Sequence, residues 1–137
     1  MPDAVTTLVD ANVLIDVMSG DPANHAGSRR ALAIAASEGP VAINPIVYAE
    51  VSTPFGSADA VDRALASMEL ARLDLPWSAA YRTSQAFLAY RRAGGSRRSP
   101  LPDFYIGAHA ELAGLRLLTR DNARYATYFP TVELMAP

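Results

Sequence analysis

The chain has no cysteine and no lysine among its 137 residues. The first absence excludes disulfides and thiolate metal sites. The second makes all 12 basic residues arginine, the side chain that grips phosphate and carboxylate with a planar fork, although compositional bias in a genome would produce the same lack. Histidine is scarce, with only His25 and His109, so a zinc site has few ligands to draw on. No apolar run reaches the roughly 18 residues of a membrane span. No positive stretch followed by an apolar one opens the chain, so no secretion signal is expected and a cytoplasmic location is the default.

What remains is an ordinary globular composition, half hydrophobic and 19% charged, with a formal charge of −2. The length predicts one domain over 1–137, large enough to bury about two-thirds of its unfolded surface without a staple. There is no internal repeat, low-complexity segment or linker.

The pattern along the chain predicts strands alternating with helices. Val5–Asp10 reads as a short buried strand rich in β-branched residues. A helix with Val13, Leu14, Val17 and Met18 on its apolar stripe follows and stops at Gly20. Asp21-Pro22 reads as the start of a second helix that ends near Gly39-Pro40. Val41–Asn44 is a second strand, and Pro45 opens a third helix. Ser57–Met68 and Trp77–Arg92 are helices around a third strand at Ala71–Leu75, and Asp103–Ala113 is another helix. Leu115–Thr119 and Thr131–Met135 complete five strands, with one helical turn at Asn122–Tyr125. The class is α/β with a parallel sheet covered on both faces. Sites in such sheets gather at the carboxyl ends of the strands.

Four acids fall where that rule points. Asp10 ends the first strand, and Asp121 lies just past the fourth. Capping a helix would account for either one alone. Glu50 falls within the apolar arc defined by Ile46, Val47 and Val51, and a glutamate facing inward needs a partner; a buried arginine pair is the plain alternative. Asp103 opens an almost wholly apolar helix behind Pro102, where the helix dipole also favours an acid. Gly107, one turn on, weakens that helix and so implies a neighbouring backbone packed closely against it. Asp16 lies well off the apolar stripe of its helix and reads as solvated. His109, in mid-helix, reads as a packing or surface residue.

Charges about 4 Å apart repel by about 4 kcal/mol at an effective dielectric near 20. Several carboxylates in one pocket therefore need a cation to hold them. Oxygen-only ligands select a hard ion, Mg²⁺ or Mn²⁺, whose leading use in such a site is phosphodiester hydrolysis.

With Asp10, Glu50, Asp103 and Asp121 in this order, the stretches "LVDANVLID", "NPIVYAEV" and "PDFYIGAHAELAGLRLLTRDNARYATYFPTVEL" resemble a PIN-domain ribonuclease of the VapC type, the toxin of type II toxin–antitoxin pairs. The resemblance covers nearly the whole chain and implies a five-stranded parallel sheet between helices. It also implies Mg²⁺ or Mn²⁺ held mainly by Asp10 and Asp103, with Glu50 and Asp121 completing the catalytic pocket, and endonucleolytic cleavage of RNA. Asn12 and Thr119 match polar positions that hydrogen-bond around such a site. An antitoxin partner and a homodimer are further implications, with Tyr48, Phe55 and Trp77 available for an interface, although core packing accounts for them more simply. Arg91, Arg92, Arg97 and Arg98 flank a Gly-Gly just before Asp103 and are candidates to track RNA phosphates, or else form a solvated loop.

Two other acid-after-strand chemistries fit less well. A receiver domain needs a late lysine, and this chain has none. A phosphatase of the haloacid-dehalogenase type needs a second aspartate where Asn12 stands, and Arg116 or Arg120 would only loosely supply its downstream cation. The alternative from another class is a non-catalytic module that keeps the fold and acts by protein contact.

Overall fold

The computed structural model describes residues 4–98 and 101–137; Ser99 and Pro100 of the arginine-rich loop lie outside the described residues. The strands are β1 (Thr7–Val9), β2 (Val41–Ile43), β3 (Ala71–Arg72), β4 (Arg116–Leu118) and β5 (Leu134–Met135). All pair in parallel in the order β3-β2-β1-β4-β5. Every strand is shorter than its hydrophobic run suggests. The flanking residues of those runs continue into turns and caps: Asp10, for example, leaves the strand to cap a helix.

The helices among the described residues are α1 (Ala11–Ser19), α2 (His25–Glu38), α3 (Pro45–Ser52), α4 (Ala58–Ala66), α5 (Trp77–Arg92), α6 (Pro102–Ala113) and α7 (Asn122–Tyr128). Gly20 ends α1 in a left-handed conformation (φ 67°) and lets its N–H reach back to the Asp16 carbonyl. Asn44 caps α3 by accepting from the Val47 N–H, and Ser57 caps α4 in the same way from Ala60. Asp21 does not begin α2. Its carboxylate accepts from the Ala23 N–H and the Asn24 amide, closing a turn first, so α2 starts later at His25. The α7 helix runs to Tyr128, beyond the single turn expected, because buried Tyr125 anchors its middle.

Leu8, Val9, Ala42, Ile43, Leu117 and Leu118 are buried along the three central strands, as expected of strands covered on both faces. Their core neighbours include Phe104 and Ile106 of α6, Val47 and Val51 of α3, and Phe129. Gly107 is needed for close approach, but the neighbour is a side chain rather than backbone: a Cβ there would overlap the Phe129 ring. Buried His109 packs as read, its Nδ1 facing the Asn44 amide at 3.1 Å and joining α6 to α3. Burial lowers its pKa and keeps the ring neutral, so that nitrogen accepts. Trp77 contradicts the core-packing alternative. It stands at the first turn of α5, 90% exposed, with Tyr81 exposed one turn on.

From β1 the chain winds to β2 and β3 on one side, then returns to β4 and β5 on the other. The winding thus reverses between β1 and β4, and a crevice opens beyond the carboxyl ends of that pair. Asp10 directly follows β1, and Thr119 directly follows β4.

Candidate functional site

Asp10 is held from several sides. It caps α1, its Oδ1 accepting from the Ala11 N–H at 2.7 Å. Its Oδ2 accepts from the Thr119 hydroxyl at 2.8 Å and the Tyr125 hydroxyl at 3.0 Å, with the Asn12 amide at 3.4 Å. The capping reading of Asp10 is therefore correct as far as it goes, and it coexists with a position in the crevice. Asn12 also ties the turn after β4, its Oδ1 accepting from the Arg120 N–H and its amide lying 3.4 Å from Thr119 Oγ1.

Glu50 projects from the second turn of α3 and Asp103 from the first turn of α6. One carboxylate oxygen from each of Asp10, Glu50 and Asp103 lies within 4.8 Å of the others. No arginine pairs with Glu50 among the described residues, contrary to the ion-pair alternative. Its Oε1 is buried and has no hydrogen-bond partner. Asp121 stands at the rim, half-exposed. It makes no side-chain cap to α7, and its nearest cation is Arg124, with Nε 3.7 Å from Oδ2. Arg124 also donates from Nη1 to Asp103 Oδ2 at 3.0 Å.

The electrostatics follow from this crowding. Burial, then the charges of Asp10 and Asp103, push Glu50 up to about 7. Burial also raises Asp10, against the Thr119 hydrogen bond and with added repulsion from Asp103. Burial raises Asp103 as well; Arg124 opposes this and Asp121 reinforces it. The Tyr125 phenol is raised first by burial and then by these acids, so it stays protonated and donates. A cluster of oxygen donors with one buried oxygen unsatisfied fits a small hard cation. The residues present therefore suit Mg²⁺ or Mn²⁺.

Asp16 corrects the sequence reading. It is 3% exposed, not solvated. Helix α2 covers that side of α1, the Ser28 hydroxyl donates to Oδ2 at 2.7 Å, and Arg120 donates from Nε (2.7 Å) and Nη2 (3.1 Å) to the two oxygens. Arg120, Arg124 and Tyr125 are the contributors that sequence reasoning missed. Only the position of Tyr125, an aromatic one helical turn beyond Asp121, hinted at a role. Arg91, Arg92, Arg97 and Arg98 are exposed at the end of α5 and just after it, where Arg91 donates to the Arg97 carbonyl. Tyr90, near that end, packs edge-on against Phe104, the neighbour of Asp103.

Comparison with known proteins adds to this geometry. The fold is similar to that of VapBC2 from Rickettsia felis bound to a promoter DNA fragment (TM-score 0.75, 16% identity, covering 97% of this chain and 99% of that one). A toxin–antitoxin complex from Klebsiella pneumoniae is 26% identical, with TM-score 0.65 and coverage of 88% and 90%. VapC20 from Mycobacterium tuberculosis, a sarcin–ricin-loop-cleaving toxin, is 20% identical, with TM-score 0.61 and coverage of 93% and 98%. No curated protein sequence gives a significant match. The PIN domain model matches residues 7–130, from β1 past α7, and so takes in all three clustered acids. The chain thus belongs to the PIN-domain family.

Proposed function

We propose that the chain is a Mg²⁺- or Mn²⁺-dependent endoribonuclease, the toxin of a VapC-type toxin–antitoxin pair. The observation that carries this reading is the convergence of Asp10, Glu50 and Asp103 at the β1/β4 crevice, with Glu50 Oε1 buried and unpartnered. A bound cation there would activate water towards a phosphodiester and stabilise the departing oxygen. Asp10, Asp103 and Glu50 would hold it, with Asp121 adding negative charge at the rim.

The chain's own residues prepare the site. Ala11, Thr119 and Tyr125 fix the Asp10 carboxylate before any ligand arrives, so little ordering remains to be done on binding. Asn12 ties the two turns that carry Asp10 and Thr119. In the metal-free pocket Glu50, with its pKa near 7, takes up or gives up a proton close to neutral pH, and a bound cation would favour its ionised, ligating form. The exposed arginines at 91, 92, 97 and 98 offer positive charge to the RNA backbone near the α6 end of the crevice.

An antitoxin is the proposed protein partner, since the R. felis and K. pneumoniae relatives were solved in such complexes. A second copy is the other; exposed Trp77 and Tyr81 on α5 support that association. No described helix is long and apolar enough to cross a membrane.

The test is RNA incubation with purified protein in Mg²⁺, Mn²⁺ or EDTA. Cleavage should require metal and fall by at least about a hundredfold in Asp10→Asn. Equal cleavage by wild type and Asp10→Asn would remove the reading.

A further inference from the structure

Helix α7 sends two side chains towards the acids, and they are held very differently. Tyr125 is fully buried and fixed on Asp10. Arg124, beside it, is 43% exposed and spans Asp103 Oδ2 at 3.0 Å and Asp121 Oδ2 at 3.7 Å. Those carboxylates are its only side-chain partners among the described residues. Its counterpart Arg120 is instead chelated by a buried carboxylate through two nitrogens. One arginine is locked, and the other rests on the lip of the pocket with open solvent behind it.

Asp103 is also one of the three acids that converge in the crevice. Arg124 already occupies one oxygen of that carboxylate, and a guanidinium and a dication drawn to the same group would repel in a partly buried site. We propose that Arg124 is a resident counter-ion, which steadies Asp103 and Asp121 in the metal-free protein and is displaced from Asp103 when a divalent cation enters. Arg124 thereby sets the cation concentration at which the site loads. This regulation rests on the metal-dependent reading of the same pocket, but its physical content is separate: an exchange of one cation for another on Asp103.

Two measurements on the full chain test it. In EDTA, a double-mutant cycle on thermal midpoints compares Arg124→Gln in wild type and in Asp103→Asn. The substitution should lower the midpoint in wild type and do so much less when Asp103 is already neutral. By calorimetry with Mn²⁺ alone, Arg124→Gln should bind roughly tenfold more tightly than wild type, and Arg124→Lys, which keeps the charge, should stay close to wild type. Additive midpoints in EDTA would overturn the resting pair. Equal Mn²⁺ affinity in wild type and Arg124→Gln would overturn the exchange while leaving the metal site standing. Coupling in EDTA with no Mn²⁺ binding by any variant would make Arg124 a static ion pair and would also count against the proposed metal chemistry.

Discussion

Asp10 and Asp16 belong to the same stretch of chain, one capping α1 and the other within it, and both reach towards the turn after β4. Their surroundings differ in one respect. Asp16 meets a cation: Arg120 faces both its oxygens, Ser28 adds a donor, and the charge is balanced within the protein. Asp10 meets only neutral donors, and the charges nearest to it in the crevice are those of Glu50 and Asp103. Both acids are buried. Burial therefore does not separate the two carboxylates; charge balance does. An acid whose charge is fully balanced within the protein ties elements together, whereas acids that crowd one another repel and, on the function proposed above, would take a cation from outside.

The comparison breaks most easily at Arg120. Arg120→Ala leaves Asp16 buried with only Ser28, and unpairing a buried charge costs about 3 kcal/mol. Chemical denaturation should show that loss, and it should mostly vanish when Asp16→Ala is added. An unchanged midpoint would mean that the two carboxylates are not different in kind.

At the unbalanced site the sign reverses. Neutralising an acid should stabilise the metal-free protein, by about 1 kcal/mol for Glu50→Gln near pH 8. The pH dependence sharpens this. Glu50 has a folded pKa of about 7 against an ordinary 4.5, so the native state binds more protons than the unfolded state between those values. Its contribution to stability is therefore greatest at acid pH, declines as pH rises from 4.5 to 7, and is flat above that. Thermal midpoints in EDTA should show this fall in wild type and a shallower one in Glu50→Gln, since Asp10 and Asp103 are raised as well. Proton competition at the same group predicts that Mn²⁺ affinity rises through neutrality. A pH-independent affinity would take Glu50 out of the ligand set.

The smallest effect concerns the exposed arginines. Arg97→Ala with Arg98→Ala should leave stability unchanged and weaken RNA binding. The log–log salt slope should flatten by about 1.4, the value for two lost contacts to single-stranded phosphates. An unaltered slope would make that segment a plain solvated loop.

Much of this architecture was legible in the chain. The alternation of β-branched runs with amphipathic helices indicates a parallel α/β sheet, and the strand-end rule marks Asp10 and Asp121 for attention. The arc of Ile46, Val47 and Val51 brings in Glu50. The helix-face argument failed at Asp16, because a helix's own periodicity says nothing of what packs against its other side; α2 and Arg120 cover that side. Core packing, the simpler account of Trp77, does not hold either: that residue faces outward at a helix start. Tyr125 was not legible as a partner of Asp10, far away along the chain, and although Asp121 and Arg124 stand at a local i, i+3 spacing, no local pattern encodes the reach of Arg124 to Asp103.

The order and spacing of residues alone indicated the class of fold and the kind of cation that crowded carboxylates would favour, because these follow from hydrophobic period, strand-end position and donor chemistry; the family came from the likeness of whole motifs to known ones. The tertiary structure decided which carboxylates are neutralised from within. An arginine's choice of acid depends on distances of a few ångströms between elements separated by a hundred residues or so, and those distances exist only once the sheet has closed around its crevice.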